Sequence, residues 1–137
     1  PNFRDSENEN WHLAVFNVDG DAKNPLIDAG NPYDVYDNEP MPNGHRINMG
    51  AYGNTDEATI SVHFADGNVD EDEHWTNDEM QVVNQPITIN SGALLTIDPG
   101  VMINIDNSDV QFIVHGEFRA IGGIGDTIRI SPNLLGR

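Results

Sequence analysis

Residues 87–130 read ITINSGALLTIDPGVMINIDNSDVQFIVHGEFRAIGGIGDTIRI, and this stretch decides the fold. Its apolar residues fall at alternate positions, and the pattern repeats with an offset of 23 residues. The repeat pairs Ile87 with Val110, Ile89 with Phe112, Leu95 with Phe118, Ile97 with Ala120, Gly100 with Gly123 and Ile105 with Ile128. Short runs of period two, separated by Gly, Pro, Asn and Asp, are typical of a solenoid turn made of strands and bends. The sequence therefore predicts an all-β chain that contains coils of a parallel β-helix.

The same alternation predicts which side chains face the interior of each coil, because successive residues of a strand point to opposite faces. In the first coil the predicted inward residues are Ile87, Ile89, Leu95, Ile97, Ile103 and Ile105, and the predicted outward residues are Thr88, Thr96 and Asn104. In the next coil the predicted inward residues are Val110, Phe112, Val114, Phe118, Ala120, Ile128 and Ile130. Bends are expected at residues 90–92, 98–100 and 106–108, where residues suited to turns cluster.

The first half of the chain is less regular and is separated from the coils by an acidic run. Alternating apolar residues predict strands at residues 11–16, 46–53 and 60–65, and a Pro-, Asn- and Asp-rich stretch at residues 28–44 predicts an ordered loop. Residues 66–79 combine many carboxylates with few apolar side chains, which is typical of a solvated linker or a cation-binding loop. We therefore expect a loop-rich N-terminal half at residues 1–65, an acidic linker at residues 66–79 and β-helix coils at residues 80–137.

The chain carries 6 Lys and Arg against 23 Asp and Glu, a formal charge of −17 at pH 7. Such a charge repels nucleic-acid phosphates and anionic lipid headgroups, so we expect neither nucleic-acid binding nor membrane insertion. The absence of cysteine excludes disulfides, thiolate catalysis and cysteine zinc sites. The acidic surface suits hard divalent cations such as Ca²⁺, or it serves solubility alone.

Three sets of acidic or amide residues are candidates for binding Ca²⁺. Asn17, Asp19 and Asp21 stand at alternate positions and Asp28 follows the first by eleven residues, which partly matches a calcium loop. The alternative for this set is an ordinary Asx-rich turn. The other two sets are Asp66, Asp70, Glu71, Asp72 and Glu73, and Asp34, Asp37 and Glu39. Ca²⁺ is the only cofactor that these patterns predict.

No catalytic residue is predicted. The five histidines are too scattered for a zinc site, and the chain has neither a nucleophile elbow nor a phosphate-binding glycine loop. Lyase chemistry on a polyuronate needs cationic side chains in a groove, and the recognisable coils place only Arg119 and Arg129 on their outer faces. Aromatic rings bind sugars by stacking, and Tyr33 and Tyr36 in the Pro-rich loop are the predicted carbohydrate-binding residues.

Two stretches of the chain resemble segments of known β-helix proteins. Residues 91–101 (SGALLTIDPGV) and 114–120 (VHGEFRA) resemble the opening coils of right-handed parallel β-helix proteins of the pectin-lyase-like superfamily. Residues 27–32 (IDAGNP) and 42–53 (PNGHRINMGAYG) resemble the closing segment of other β-helix surface proteins. That family usually has paired glycines where this chain has Gly44-His45 and Gly53-Asn54.

These resemblances imply a secreted or cell-surface protein with a right-handed parallel β-helix fold, in which residues 1–65 form a closing segment and residues 80–137 form opening coils. They imply a non-catalytic structural, adhesive or scaffold module. The acidic sets add Ca²⁺ as a stabilising ion, and the order of the two segments, closing before opening, predicts head-to-tail stacking into a filament. Its partners would be another copy of the chain, further β-helix coils or a polysaccharide. The alternative is a fragment of a carbohydrate-active enzyme, either a polysaccharide lyase or a glycoside hydrolase, because this fold carries many activities.

Overall fold

A computed structural model describes residues 3–132 of the chain. The chain falls into two compact units, unit 1 (Pro1–His63) and unit 2 (Phe64–Arg137). The only helix among the described residues is a single 3-10 turn, and the strands of unit 2 are joined in parallel sheets. The expectation of an all-β chain is confirmed.

Residues 3–132 contain twelve short strands. Unit 1 contains β1 (Phe3–Asp5), the 3-10 helix (Ser6–Asn8) and β2 (Asn10–Leu13), and β3 (Val62–Phe64) spans the boundary between the units. The strands of unit 2 are β4 (Asn68–Val69), β5 (Glu73–Trp75), β6 (Met80–Val83), β7 (Ile87–Ile89), β8 (Leu94–Ile97), β9 (Met102–Ile105), β10 (Phe112–Val114), β11 (Glu117–Ala120) and β12 (Arg129–Pro132).

Each parallel sheet of unit 2 is built from strands that lie three apart along the chain. β4, β7 and β10 form one sheet, and β5, β8 and β11 form a second. β6, β9 and β12 are parallel neighbours in a third. The chain therefore visits all three sheets before it returns to the first. Parallel neighbours require crossover connections of this kind, because a tight hairpin joins only antiparallel strands.

An apolar core holds unit 2 together. Ile87, Ile89, Leu95 and Ile103 are each 0 % exposed, and Ile97 is 2 % exposed. Burial of one such side chain contributes about 1.5–3 kcal/mol relative to leaving it in water. The inward positions predicted for β7, β8 and the start of β9 are confirmed. Other members of this core are Ala65, Val69, Trp75, Val83, Ala93 and Val101, with Ile105, Val110, Phe112 and Ile128 packed against it and partly buried.

The predicted pairing of successive coils is confirmed in one sheet and wrong in the other two. Leu95 pairs with Phe118 and Ile97 with Ala120, as the repeat predicts. Ile89, however, pairs with Val114, two residues beyond the predicted Phe112, and Ile105 pairs with Pro132, four residues beyond the predicted Ile128. The bends between these strands contain the two and the four extra residues. Because both shifts are even, each side chain keeps its predicted face of the strand.

Two predictions about burial in the coils are also wrong. Asn104, predicted to face outward into solvent, is 1 % exposed. Val114, Phe118 and Ile130, predicted to lie in the interior, are 47 %, 41 % and 57 % exposed, and Ala120 is exposed as well. These strands lie at the ends of their sheets, so no further strand among the described residues covers them.

Residues 66–79, predicted as an acidic linker, contain β4 and β5 and so contribute to the sheets of unit 2. Two of their carboxylates accept hydrogen bonds from the next turn of unit 2. Asp70 Oδ1 accepts a hydrogen bond from the Asn90 side chain at 2.6 Å, and Asp72 Oδ1 accepts one from the Leu94 backbone at 3.0 Å. Asp and Glu at these bends therefore join consecutive turns, a role that composition alone does not show.

Unit 1 is held mainly by turns. β1 and β2 form an antiparallel pair, and the predicted strand at residues 11–16 corresponds in part to β2. The strand predicted at residues 46–53 is wrong, since this stretch is a series of turns that buries the polar Asn48 and leaves Met49 48 % exposed. The ordered loop predicted at residues 28–44 contains turns closed by backbone hydrogen bonds, such as Glu39 N to Tyr36 O at 2.9 Å.

Positions 45 and 54, where the β-helix surface proteins that this chain resembles usually have a second glycine, have left-handed backbone conformations. His45 has a φ of 55° and Asn54 a φ of 57°. Most side chains are disfavoured in this region, but Asn and His enter it more readily than other residues. The backbone requirement that favours glycine at positions 45 and 54 is therefore present in this chain, and His and Asn fulfil it.

Candidate functional site

A buried polar network in unit 1 is centred on Asn48, which is 5 % exposed. Its side-chain Oδ1 accepts a hydrogen bond from the Asp28 backbone at 2.8 Å, and its Nδ2 donates to the Thr59 backbone oxygen at 2.6 Å. Its own backbone N–H donates to Glu39 Oε1 at 2.8 Å. One asparagine thus connects three separate segments of unit 1. We call Asp28, Glu39, Asn48 and Thr59 the Asn48 network.

Asp28 lies in a crowded part of this network. Its backbone is left-handed, with a φ of 56°. Its carboxylate lies 2.8 Å from the Lys23 ammonium and accepts a hydrogen bond from the Ser61 hydroxyl. A Cβ at Gly44 would lie 2.5 Å from the same carboxylate, so only glycine fits beside it. The Asp28 side chain is 11 % exposed, and its charge is compensated by Lys23.

Glu39 is buried more deeply, with 4 % of its surface exposed. Its Oε1 accepts two backbone hydrogen bonds, from Asn48 and Asn54, each at 2.8 Å. Its Oε2 is buried and has no hydrogen-bond partner among the described residues. The sequence placed Glu39 only in a surface calcium set with Asp34 and Asp37, both of which are exposed. The structure does not show these three as a cluster.

The first predicted calcium set divides in the structure. Asn17 Oδ1 accepts backbone hydrogen bonds from Gly20 at 2.8 Å and from Asp21 at 3.1 Å, and Asn17 Nδ2 donates to Asp21 Oδ1 at 2.8 Å. This is the geometry of an Asx-stabilised turn. Asp19 is exposed on this turn, whereas Asp28 belongs to the Asn48 network and binds Lys23.

The second predicted set, in residues 66–73, lies along the bends of unit 2. Asp66 and Glu71 are exposed, Asp70 and Asp72 bond to the following turn, and Glu73 Oε1 accepts from the Trp75 indole at 2.7 Å. Across residues 3–132 no group of three or more His, Asp or Glu side chains is arranged to hold a metal ion.

The two predicted sugar-binding tyrosines have different environments. Tyr33 is 93 % exposed, and its backbone N–H donates to Asn31 Oδ1 at 3.2 Å, which fixes the turn that carries it. Tyr36 is partly buried, and its hydroxyl lies 3.3 Å from His45 Nδ1. Tyr33 therefore presents a free aromatic face, whereas Tyr36 is engaged within the loop.

Unit 2 ends in an apolar sheet edge formed by β10, β11 and β12, which we call the open edge. Within the described part of the chain, the last strand of each of the three sheets has a neighbour on one side only. Val114, Phe118 and Ile130 continue the rows of Ile89, Leu95 and Ile103, which are fully buried one turn earlier. The sequence predicted these three residues to lie in the interior, and the structure exposes them at the end of the core.

Asn48→Ala is expected to destabilise unit 1 by about 1–3 kcal/mol, because the buried Asp28 N–H and Thr59 C=O each lose their partner. The exchange rate of the Asp28 amide with deuterated water, followed by NMR, measures this loss at the site. Asn38→Ala serves as the control, since Asn38 is exposed on the same loop system. Equal Asp28 protection in both variants would contradict the role given to Asn48.

None of the helical structure in residues 3–132 is long and apolar enough to cross a membrane. Comparison of the chain with protein-family models, with curated proteins and with solved structures found no match.

Proposed function

We propose that this chain is a non-catalytic structural module of a secreted or cell-surface protein with a right-handed parallel β-helix. The observation that carries the proposal is the strand order of unit 2. Every three consecutive strands along the chain add one strand to each of the three sheets. A ribbon wound into coils produces this order. Crossovers between parallel strands are right-handed in nearly all proteins, which supports that hand. The motif resemblances of both halves support the extracellular location.

The roles of the acidic side chains support a structural rather than a catalytic module. Asp70 and Asp72 bond to the neighbouring turn, and Asp98 contacts His74 of the preceding turn at 2.6 Å. Carboxylates at these bends satisfy donors of the fold itself, and Asp is favoured in turns for that reason. Depolymerisation of a polysaccharide by the purified chain would contradict this part of the proposal.

The open edge supports a role in assembly. Phe118 is 41 % exposed although Leu95, its partner in the preceding turn, is 0 % exposed. Val114 and Ile130 show the same contrast with Ile89 and Ile103. Edge strands with exposed apolar side chains and unpaired backbone groups are templates for further strands. We propose that a second copy of the chain stacks on this edge in solution.

Phe118→Lys is expected to weaken self-association of the isolated chain about tenfold or more, because it replaces a large apolar contact by a charge. Sedimentation velocity over a wide range of protein concentrations measures the association constant. Val18→Lys is the matched control, because Val18 is 81 % exposed and belongs to unit 1, whereas the open edge belongs to unit 2. We expect this control to associate like the unchanged chain.

The form of the assembly distinguishes two ways of stacking. Filaments seen by negative-stain electron microscopy would indicate head-to-tail stacking, since a heterologous contact does not close. Closed dimers would indicate that two open edges pair with each other. A monomer at every concentration would contradict the proposed self-association, and equal association of the Phe118→Lys and Val18→Lys variants would place the contact elsewhere.

A further inference from the structure

The two ends of the parallel sheets in unit 2 differ in how far their core residues are buried. β4 and β5 lie at one end of their sheets, and their core residues Val69 and Trp75 are only 1 % and 2 % exposed. At the other end, the open edge, Val114, Phe118 and Ile130 are all exposed. Of these two ends, therefore, only the open edge presents uncovered apolar side chains of the core.

This difference decides which surface of a second copy the open edge contacts. Head-to-tail stacking would place the open edge against the β4 and β5 end of the next copy, where the core side chains are already buried. Pairing of two open edges removes two exposed apolar surfaces from water at once. The hydrophobic contribution to association is roughly proportional to the apolar area removed from water. It therefore favours contact between two identical edges, which is an isologous contact about a two-fold axis.

The charges of β11 suit such an axis. Glu117 and Arg119 are exposed and flank Phe118 in this strand, so both project from the face opposite to Phe118. A two-fold axis perpendicular to the strand at Phe118 reverses its direction, so two β11 strands run antiparallel with Phe118 opposite its own copy. Glu117 of each copy then lies opposite Arg119 of the other, on the same face. The edge is self-complementary in charge about Phe118.

The backbone of β11 offers hydrogen bonds at the same place. The Glu117 N–H points to the preceding turn, where it donates to Ala93 O at 2.9 Å. Backbone groups of successive strand residues point to opposite sides of the strand, so those of Phe118 point away from β8. Two Phe118 residues related by the axis can exchange both N–H···O bonds, as in a hydrogen-bonded pair of an antiparallel ladder.

We infer that two copies of this chain form a closed two-fold dimer through their open edges, with the β11 strands antiparallel and Phe118 at the axis. This inference rests on the self-association proposed above and specifies its partner surface and register. The reciprocal Glu117–Arg119 pairs fix the register, because an axis centred on either charged residue would place like charges opposite each other. In coils wound as proposed above, the same axis brings β10 of each copy to β12 of the other.

Charge-reversed variants test the register. Arg119→Glu and Glu117→Arg each replace both reciprocal pairs by like charges, and each is expected to weaken self-association roughly tenfold. General charge repulsion predicts tighter association for Glu117→Arg, because this change makes a chain of net charge −17 less negative. Glu71→Arg is the matched control, since it makes the same change of charge at an exposed residue outside the open edge. We expect this control to associate at least as tightly as the unchanged chain.

Two further samples restore the pairs and separate register from net charge. The double variant Glu117→Arg/Arg119→Glu keeps the net charge and re-forms both pairs, so it is expected to associate like the unchanged chain. An equimolar mixture of the two single variants is expected to form hybrid dimers of similar affinity, although each variant alone associates weakly. Sedimentation velocity measures these association constants.

Cross-linking tests the symmetry. The chain has no cysteine, so Phe118→Cys and Ala120→Cys each introduce a single thiol. Opposite residues of a hydrogen-bonded antiparallel pair have Cα atoms about 5.5 Å apart, within reach of a disulfide. The two copies of residue 120 would lie roughly 13 Å apart along the strands, beyond that reach. Air oxidation with a copper–phenanthroline catalyst is therefore expected to give covalent dimers from Phe118→Cys and few from Ala120→Cys.

The outcomes separate this inference from the self-association on which it rests. Recovery of association in the double variant and in the mixture, with preferred cross-linking at position 118, supports the two-fold dimer. Filaments, no recovery, or faster cross-linking at position 120 would overturn the dimer, and weaker association of Phe118→Lys would still support stacking on this edge. A monomer at every concentration would overturn both.

Discussion

Gly116→Ala is expected to destabilise unit 2 by about 3 kcal/mol, at the upper end of the cost of overpacking. A Cβ at this position would lie 2.3 Å from the backbone oxygens of Ala93 and Asn90. Neither oxygen is free to move, because Ala93 O accepts from Glu117 N at 2.9 Å and Asn90 O accepts from Ala93 N at 3.0 Å. The bend before β11 packs directly on the bend before β8, and only glycine permits this approach.

Gly122→Ala is the matched control for this change. A Cβ there meets its nearest atom, Asp126 O, at 3.5 Å, which is ordinary contact. Denaturant unfolding of both variants in a Trp11→Phe background reports on unit 2 alone, because Trp75 then remains the single tryptophan and is 2 % exposed in that unit. Equal midpoints for the two alanine variants would show that the two bends do not stack as described.

Leu95→Ala is expected to cost about 2–5 kcal/mol of the stability of unit 2, since it leaves a cavity in a core that cannot fully collapse. Leu95 is 0 % exposed and lies in β8, between β5 and β11. The adjacent Leu94 points to the other face of the strand and is only partly buried. Leu94→Ala deletes the same atoms and is expected to cost less than half as much.

The same Trp75 fluorescence measurement compares these two leucine variants. The difference between them isolates burial, because residue type, strand and length of the chain are identical. Similar losses for both variants would contradict the assignment of Leu95 to the core row that continues at Phe118. A lower denaturant slope in either variant would indicate a change in the denatured or native ensemble rather than a simple loss of packing.

The period-two pattern was sufficient to assign the faces of β7 and β8 but not the register between turns. Leu95 and Ile97 lie where the repeat predicts, and their partners are correct. Ile89 pairs two residues away from its predicted partner, and its side chain still points inward. Side-chain alternation depends only on the strand itself, whereas register depends on how many residues each bend takes up.

The candidate site in unit 1 was largely beyond prediction from sequence. The predicted strand at residues 46–53 assigned no role to Asn48, and an isolated asparagine in a turn-rich stretch has no periodic signal. Its three partners, Asp28, Glu39 and Thr59, lie nine to twenty residues away along the chain. The motif resemblance marked the stretch, but the network of buried polar bonds depends on turns that bring distant residues together.

The sequence by itself determined that this chain is all-β, that residues 87–97 alternate between core and surface, and that the bends carry Gly, Asn and Asp. These properties are local, because they follow from the geometry of a single strand or turn. Only the tertiary structure decided that residues 66–79 join the sheets, that Glu39 is buried and that the open edge exposes Phe118. Burial and pairing are relations between distant segments, and they are fixed only when the chain folds.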